Sequence, residues 1–239
     1  MNLICYLSNG FPTLEHSKQM AENYVQAGCD VIEIDFPSSN PFLENDFIAG
    51  RMKKALEDCD DYTVYMNEMK QVKSNLPGTK FIVLVYENTV LDIGLTDFIH
   101  FCKTNDFGDV ILVGIQKPDV KDKMIQSGLR VSCYIQFHMP ENEIESAVCS
   151  NGFIYLQAKP SHGEINPKFP TLKDCISRLR NLGISRPIYC GVGIRTADDV
   201  QSVKKSGADG VFVGSTILKL HDNIPEMKNS IRKLKLASQ

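Results

Sequence analysis

Eight short apolar runs set the rhythm of this chain, at residues 3–7, 31–36, 80–85, 109–113, 130–135, 153–156, 188–190 and 210–213. Between them lie stretches whose apolar residues recur with the 3.6-residue period of an amphipathic helix. These cover 14–27, 45–58, 95–105, 172–182, 197–206 and 224–236, and a charged segment over 62–75 adds one more helix. Continuous or period-two β-branched runs alternating with helical ones describe βα units on a parallel sheet. Eight such units, with no Pro/Ser/Gly linker and no shift of composition, favour a closed (β/α)8 TIM barrel over a doubly wound sheet. A length of 239 residues suits one such barrel, a single domain over 1–239.

Composition narrows the function. With 43% hydrophobic and 23% charged residues the chain reads as an ordinary globular protein. A net charge of −3, with no basic run interleaved with aromatics, argues against nucleic acid as a partner. No apolar run approaches the roughly 18 residues that a membrane span needs. The opening MNLICYLSNG carries no cationic leader and is not expected to be a signal peptide. Eight cysteines stand singly, without C-x-x-C spacing or a nearby His, and read as reduced core thiols of a cytoplasmic protein without a metal site.

In a barrel of this kind the chemistry sits at the C-terminal ends of the strands. The richest such end is DVIEIDFPSSNPFLEND, residues 30–46. Side chains alternate along a strand, so Glu33 and Asp35 share one face while Ile32, Ile34 and Phe36 take the other. Buried carboxyls are costly unless paired or used, which points to acid–base chemistry. Pro37 ends the strand, and the loop then delivers Glu44, with Asp46 as a competing acid in the first turn of the following helix.

Two further loops have a different character. Gly191-Val192-Gly193-Ile194 leads to a helix with Thr196 as its cap, and Gly214-Ser215-Thr216 opens another helical turn. Glycines admit a ligand close to the backbone, and helix starts present free N–H groups, so the pair suits a phosphate. The plainer reading is that these glycines only permit tight turns.

At this point the residues resemble a known family, the tryptophan synthase alpha subunit. The likeness rests on Ser8-Asn9-Gly10-Phe11-Pro12, on Glu33 to Pro41, on Leu84-Val85-Tyr86-Glu87-Asn88, on Tyr155-Leu156, and on the two glycine loops. These match, in order, the family pattern G-D-P, E-L-G-x-P-F-S-D-P, L-x-Y-x-N, Y-x-Y, G-F-G-I and G-S. The resemblance implies a (β/α)8 barrel that cleaves indole-3-glycerol phosphate to indole and glyceraldehyde 3-phosphate in tryptophan biosynthesis. It implies a lyase that needs no metal or organic cofactor, with a tryptophan synthase beta subunit as its partner.

Carried over residue by residue, the acid–base carboxyl falls on Glu33, the second carboxyl on Glu44 and the nearby tyrosine on Tyr155. The phosphate-binding backbone falls on Gly191, Gly193, Gly214 and Ser215, with Gly163 in the lid as a further match. Tyr6, Leu84, Tyr86 and Leu112 are candidates for the walls of the pocket. The departures are specific. Glu44 replaces a shorter Asp, Ile115 stands where the family has an acid, and the lid reads Ala158-Lys159-Pro160-Ser161-His162-Gly163-Glu164. His162 is a candidate acid whose ordinary reading is a solvated loop residue. Asp35 replaces a small residue and is expected to form a salt bridge. The stretch ahead of the first strand is shorter than the family's, so a helix under the barrel floor is expected to be missing. Two other functions stay open: a related lyase or isomerase acting on another phosphorylated molecule, and a weakly active binding partner of a beta-subunit-like enzyme.

Overall fold

The computed structural model describes residues 1–161 and 163–239. His162 lies outside the described residues. Its strands are β1 (Asn2–Leu7), β2 (Val31–Asp35), β3 (Lys80–Tyr86), β4 (Asp109–Val113), β5 (Arg130–Val131), β6 (Cys133–Ile135), β7 (Ile154–Gln157), β8 (Ile188–Gly191) and β9 (Gly210–Val213). The helices are α1 (Leu14–Gln26), α2 (Asp46–Asp58), α3 (Tyr62–Asn75), α4 (Glu87–Ile93), α5 (Leu95–Thr104) and α6 (Pro118–Gln126). They continue as α7 (Glu141–Cys149), α8 (Leu172–Asn181), α9 (Ala197–Lys205), α10 (Ser215–Leu218) and α11 (Ile224–Ser238).

Every ladder is parallel, in the order β5-β4-β3-β2-β1-β9-β8-β7-β6. The expected run 130–135 forms β5 and β6, two halves of one strand parted at Ser132. The Ser132 N–H still donates to Val110 O on the β4 side (2.9 Å), while the Cys133 N–H donates to Phe153 O on the β7 side (3.2 Å). One strand thus serves both edges, and the sheet closes into an eight-stranded barrel. Closure demands a close approach of backbones. A Cβ on Gly152 would lie 2.4 Å from Val131 C, so no side chain fits at that seam.

Period-two alternation sorts the strand residues into two layers. Leu3, Cys5, Leu7, Ile32, Ile34 and Phe36 face outward and pack under the helices in the larger apolar cluster. Ile4, Tyr6, Val31, Ile82, Leu84, Tyr86, Ile111, Phe153 and Phe212 fill the barrel. Each fully buried aliphatic side chain adds about 1.5–3 kcal/mol of transfer free energy. Ile48 and Met52 of α2 and Leu218 of α10 belong to the inner cluster, so both helices reach over the mouth near β1.

Helix starts are fixed by side chains. Thr171 and Asp174 form a reciprocal capping box on α8, and Thr196 and Asp199 do the same on α9. The charged segment over 62–75 forms α3, capped by Asp61. All eight cysteines are unpaired; Cys149 is exposed, Cys59 half-buried and the others buried. No helix among the described residues is long and apolar enough to cross a membrane.

Candidate active site

Glu33 and Asp35 both point into the barrel from β2, as their shared face requires. Glu33 stands in register with Tyr6 of β1 and Ile82 of β3. It is 5% exposed, and its carboxyl takes no hydrogen bond from any described residue. Burial, then the charges of Glu44 and Asp35, push its pKa well above the ordinary carboxyl value.

Asp35 is fully buried, and its expected salt bridge does not form. Its Oδ2 accepts the Tyr6 hydroxyl at 2.6 Å and its Oδ1 accepts the Asn9 N–H at 2.5 Å. Arg51 lies close enough to exert a field, but it makes no ion pair within 4.0 Å of any described carboxylate. Burial raises the Asp35 pKa to about 7, opposed by the bonds from Tyr6 and Asn9.

The loop after β2 carries Glu44 to the mouth. Asn45 caps α2 by accepting from Phe47 N (3.1 Å) and Ile48 N (3.2 Å), and Asp46 occupies the first turn. Glu44 is therefore not consumed as a helix cap. Its backbone N–H donates to Pro41 O at 3.0 Å, and the Tyr86 hydroxyl of β3 lies against its carboxyl. The Leu43 N–H donates to the same hydroxyl at 3.2 Å. Burial raises the Glu44 pKa while the bond from Tyr86 lowers it.

Tyr155 of β7 enters from the opposite wall. Its ring stacks on Phe212 at 4.4 Å and 14°, and meets Tyr134 edge-on at 5.6 Å. A Cβ on Gly191 would lie 2.5 Å from the Tyr155 hydroxyl, so that glycine leaves room for the ring. Burial, then the charge of Glu33, push the Tyr155 pKa well above its ordinary value. Glu33 and Tyr155 thus face one interior.

The glycine loops lie side by side, because Thr216 Oγ1 donates to Ile194 O at 3.2 Å. The first intrahelical bond of α10 runs from Ile217 N–H to Gly214 O at 2.9 Å. The N–H groups of Ser215 and Thr216 precede it and have no partner within the helix. Val192 holds φ at 69°, a left-handed value that strains a β-branched residue. The Lys159 stem lies 3.3 Å from where a Gly193 Cβ would stand, and its Nζ pairs with Asp199 Oδ1 at 2.6 Å. Burial works against ionisation of Asp199, but Lys159 and the N–H groups of Arg195 and Thr196 hold its pKa down at about 2.

The other expected site residues divide. Tyr6, Leu84 and Tyr86 line the barrel interior, but Leu112 packs in the outer layer under the helices. Alternation decides this: Ile111 and Val113 are the inward residues of β4. Gly163 is exposed, with nothing within 4 Å of where its side chain would begin.

Several structural partners escaped the sequence reading. Gln157 is buried, accepting from Phe137 N (3.1 Å) and donating to Ser161 Oγ (2.5 Å), which ties the lid to β7. Glu87 accepts the N–H groups of Gln116 and Lys117, both at 2.9 Å, and fixes the loop after β4. Arg51 stacks on Phe11 at 4.0 Å and donates to His221 Nδ1 at 3.1 Å. The signal for Arg51 was available, since Ile48, Arg51, Met52 and Ala55 share one helical face.

Fold and site together define a (β/α)8 barrel with an acidic, tyrosine-lined mouth facing two adjacent glycine loops. The family model described as "Tryptophan synthase alpha chain" matches residues 1–239, and the chain belongs to that family. The tryptophan synthase alpha chain of Methanosarcina barkeri is 24% identical over 237 residues, covering 97% of this chain and 88% of its own length. That of Staphylococcus carnosus is 26% identical over 211 residues, covering 86% and 83%. Among solved structures, the Campylobacter jejuni tryptophan synthase subunit alpha superposes with a TM-score of 0.83 at 23% identity, covering 98% of this chain and 95% of that one. A tryptophan synthase structure from M. tuberculosis gives a TM-score of 0.84 at 21% identity, covering 100% and 93%.

Proposed function

We propose that this chain is an indole-3-glycerol phosphate lyase that works in tryptophan biosynthesis as one cytoplasmic barrel domain. The carrying observation is Glu33: a buried carboxyl with no hydrogen-bond partner among the described residues, its pKa raised by burial, at the mouth of a barrel of this family. In the retro-aldol step Glu33 donates its proton to the ring carbon that bears the side chain. The carbon–carbon bond then breaks, and its electron pair returns to the ring as indole. The side-chain hydroxyl becomes the aldehyde as its proton passes to the Glu33 carboxylate, so the acid is regenerated and the atoms balance. Glu44, steadied by Tyr86, accepts the ring N–H. Tyr155, Tyr6 and Leu84 wall the ring. The backbones of Gly193, Gly214 and Ser215 take the phosphate.

Release of indole from indole-3-glycerol phosphate tests the reading. Wild type turns the substrate over, and Glu33→Gln lowers kcat about 10²- to 10⁴-fold. Absence of turnover by wild type, alone and with a tryptophan synthase beta subunit, sinks it. Turnover that needs the beta subunit marks that subunit as an obligate partner. The lid favours a second reading, since Lys159 is clasped to Asp199 rather than left free over the glycine loops. On that reading the site takes another phosphorylated small molecule, and wild type binds glycerol 3-phosphate without releasing indole.

A further inference from the structure

We propose that Asp35 is a positioning residue for the acid–base step: of the two carboxyls it is the one that takes the charge, and that charge holds the proton on Glu33. The inference deepens the lyase reading and rests on it for its chemical meaning. The charge coupling itself is readable without any substrate.

Two carboxyls sit one pleat apart on the inner face of β2, and their surroundings differ. Both oxygens of Asp35 meet donors, the Tyr6 hydroxyl at 2.6 Å and the Asn9 N–H at 2.5 Å. A backbone N–H can only donate, so the oxygen it meets must be bare. Protonating the other oxygen would reverse the Tyr6 bond. Glu33 has no donor among the described residues. Where two like groups share a site and only one is offered donors, the charge settles on that one and the proton on the other.

The surrounding groups fit this division. Glu33 is faced across the interior by Tyr6 from β1, by Tyr155 from β7 and by Glu44 from the loop ahead of α2, while the Cys5 thiol lies on the outer side of the sheet. Asp35 is faced by Tyr6, by Tyr65 of α3, by Glu44 and by Arg51 of α2. Arg51 is the cation of the group, and its field favours the charged form of Asp35. The family pattern E-L-G has glycine where this chain has Asp35. The pair is therefore a property of this chain rather than of the barrel type.

The test is a titration of protein labelled with ¹³C at glutamate carboxyls, with Glu33→Gln used to assign the signal. Asp35→Asn lowers the Glu33 midpoint by about one pH unit, the size expected for losing a charge one pleat away. Asp35→Gly, which restores the family residue, lowers it by the same amount although it keeps none of the Tyr6 or Asn9 bonds. A purely structural role would separate these two variants. An unmoved or raised midpoint in both folded variants overturns the proposal. With indole-3-glycerol phosphate, the alkaline limb of kcat moves down by the same interval while KM stays put. A midpoint that falls in a protein without lyase activity leaves the coupling standing and removes the lyase reading. Lyase activity with an unmoved midpoint does the reverse.

Discussion

His221 offers a sharp quantitative test of the polar network beside the mouth. It is 4% exposed, with Nε2 2.6 Å from the Tyr24 hydroxyl and Nδ1 3.1 Å from Arg51 Nη2. The Tyr24 hydroxyl donates to Tyr6 O at 3.0 Å, so Nε2 must carry the hydrogen and Nδ1 must be the acceptor for Arg51. Protonating Nδ1 would destroy that bond and set two cations together. Burial first, then Arg51, lower the His221 pKa to about 3. A depressed pKa means that the unfolded chain binds the proton first, so stability is lost as pH falls below about 6.5. Between pH 7.5 and 5.0 the unfolded state gains about 2 kcal/mol from protonating this ring, and the folded state gains almost nothing.

The perturbation is His221→Asn, which keeps an acceptor toward Arg51 and cannot titrate. It should cost about 1 kcal/mol at pH 7.5 for the lost Tyr24 bond. On acidification the variant should then gain about 2 kcal/mol on wild type, becoming the more stable of the two near pH 5. Urea unfolding followed by circular dichroism, run on both proteins at several pH values, reads the difference. Asp35 and the other carboxyls titrate in both proteins and cancel. A gap that stays constant from pH 7.5 to 5.0 would mean that the folded state accepts the proton, and the tautomer argument would be wrong.

Two further outcomes follow from the packing. Gly191→Ala drives a methyl group into the Tyr155 hydroxyl, 2.5 Å away, and should lower kcat/KM roughly 10- to 100-fold by displacing the ring. Adding Tyr155→Phe to that variant should recover part of the loss; no recovery would place the damage elsewhere. Leu112→Ala should cost about 2–5 kcal/mol in unfolding free energy yet leave KM unchanged, whereas Leu84→Ala should raise KM. Equal effects of the two on KM would refute the assignment of inner and outer layers.

Local signals carried much of this architecture. The β-branched runs, the charged helix over 62–75 and the Thr196 cap were legible because each depends on residues within a few positions of one another. Glu33 and Asp35 were legible as a pair for the same reason, since alternation alone places them on one face. What alternation could not supply was the partner of each. The Tyr6–Asp35 bond joins residues on different strands, as does the stacking of Tyr155 on Phe212. Leu112 was misplaced because a continuous apolar strand, buried on both faces, hides which parity looks inward. The break at Ser132 was invisible for a different reason: it reflects closure of the sheet, which is set by the whole ring of strands. The helix α4 was missed because it begins at Glu87, directly after β3, with no turn residue between them.

The split strand has a consequence for how activity arises. On one side of it, β1 to β5 carry Glu33, Asp35, Tyr6 and, through the connecting loop, Glu44. On the other, β6 to β9 carry Tyr155 and the glycine loops. Backbone hydrogen bonds join the two halves at the Val131–Ser132 seam and along the β1–β9 ladder. On the proposed function each half alone is chemically mute, one holding protons with no ring wall opposite and the other an anion cradle with no acid. Turnover therefore doubles as a reporter of assembly, registering only those molecules in which both joints have sealed.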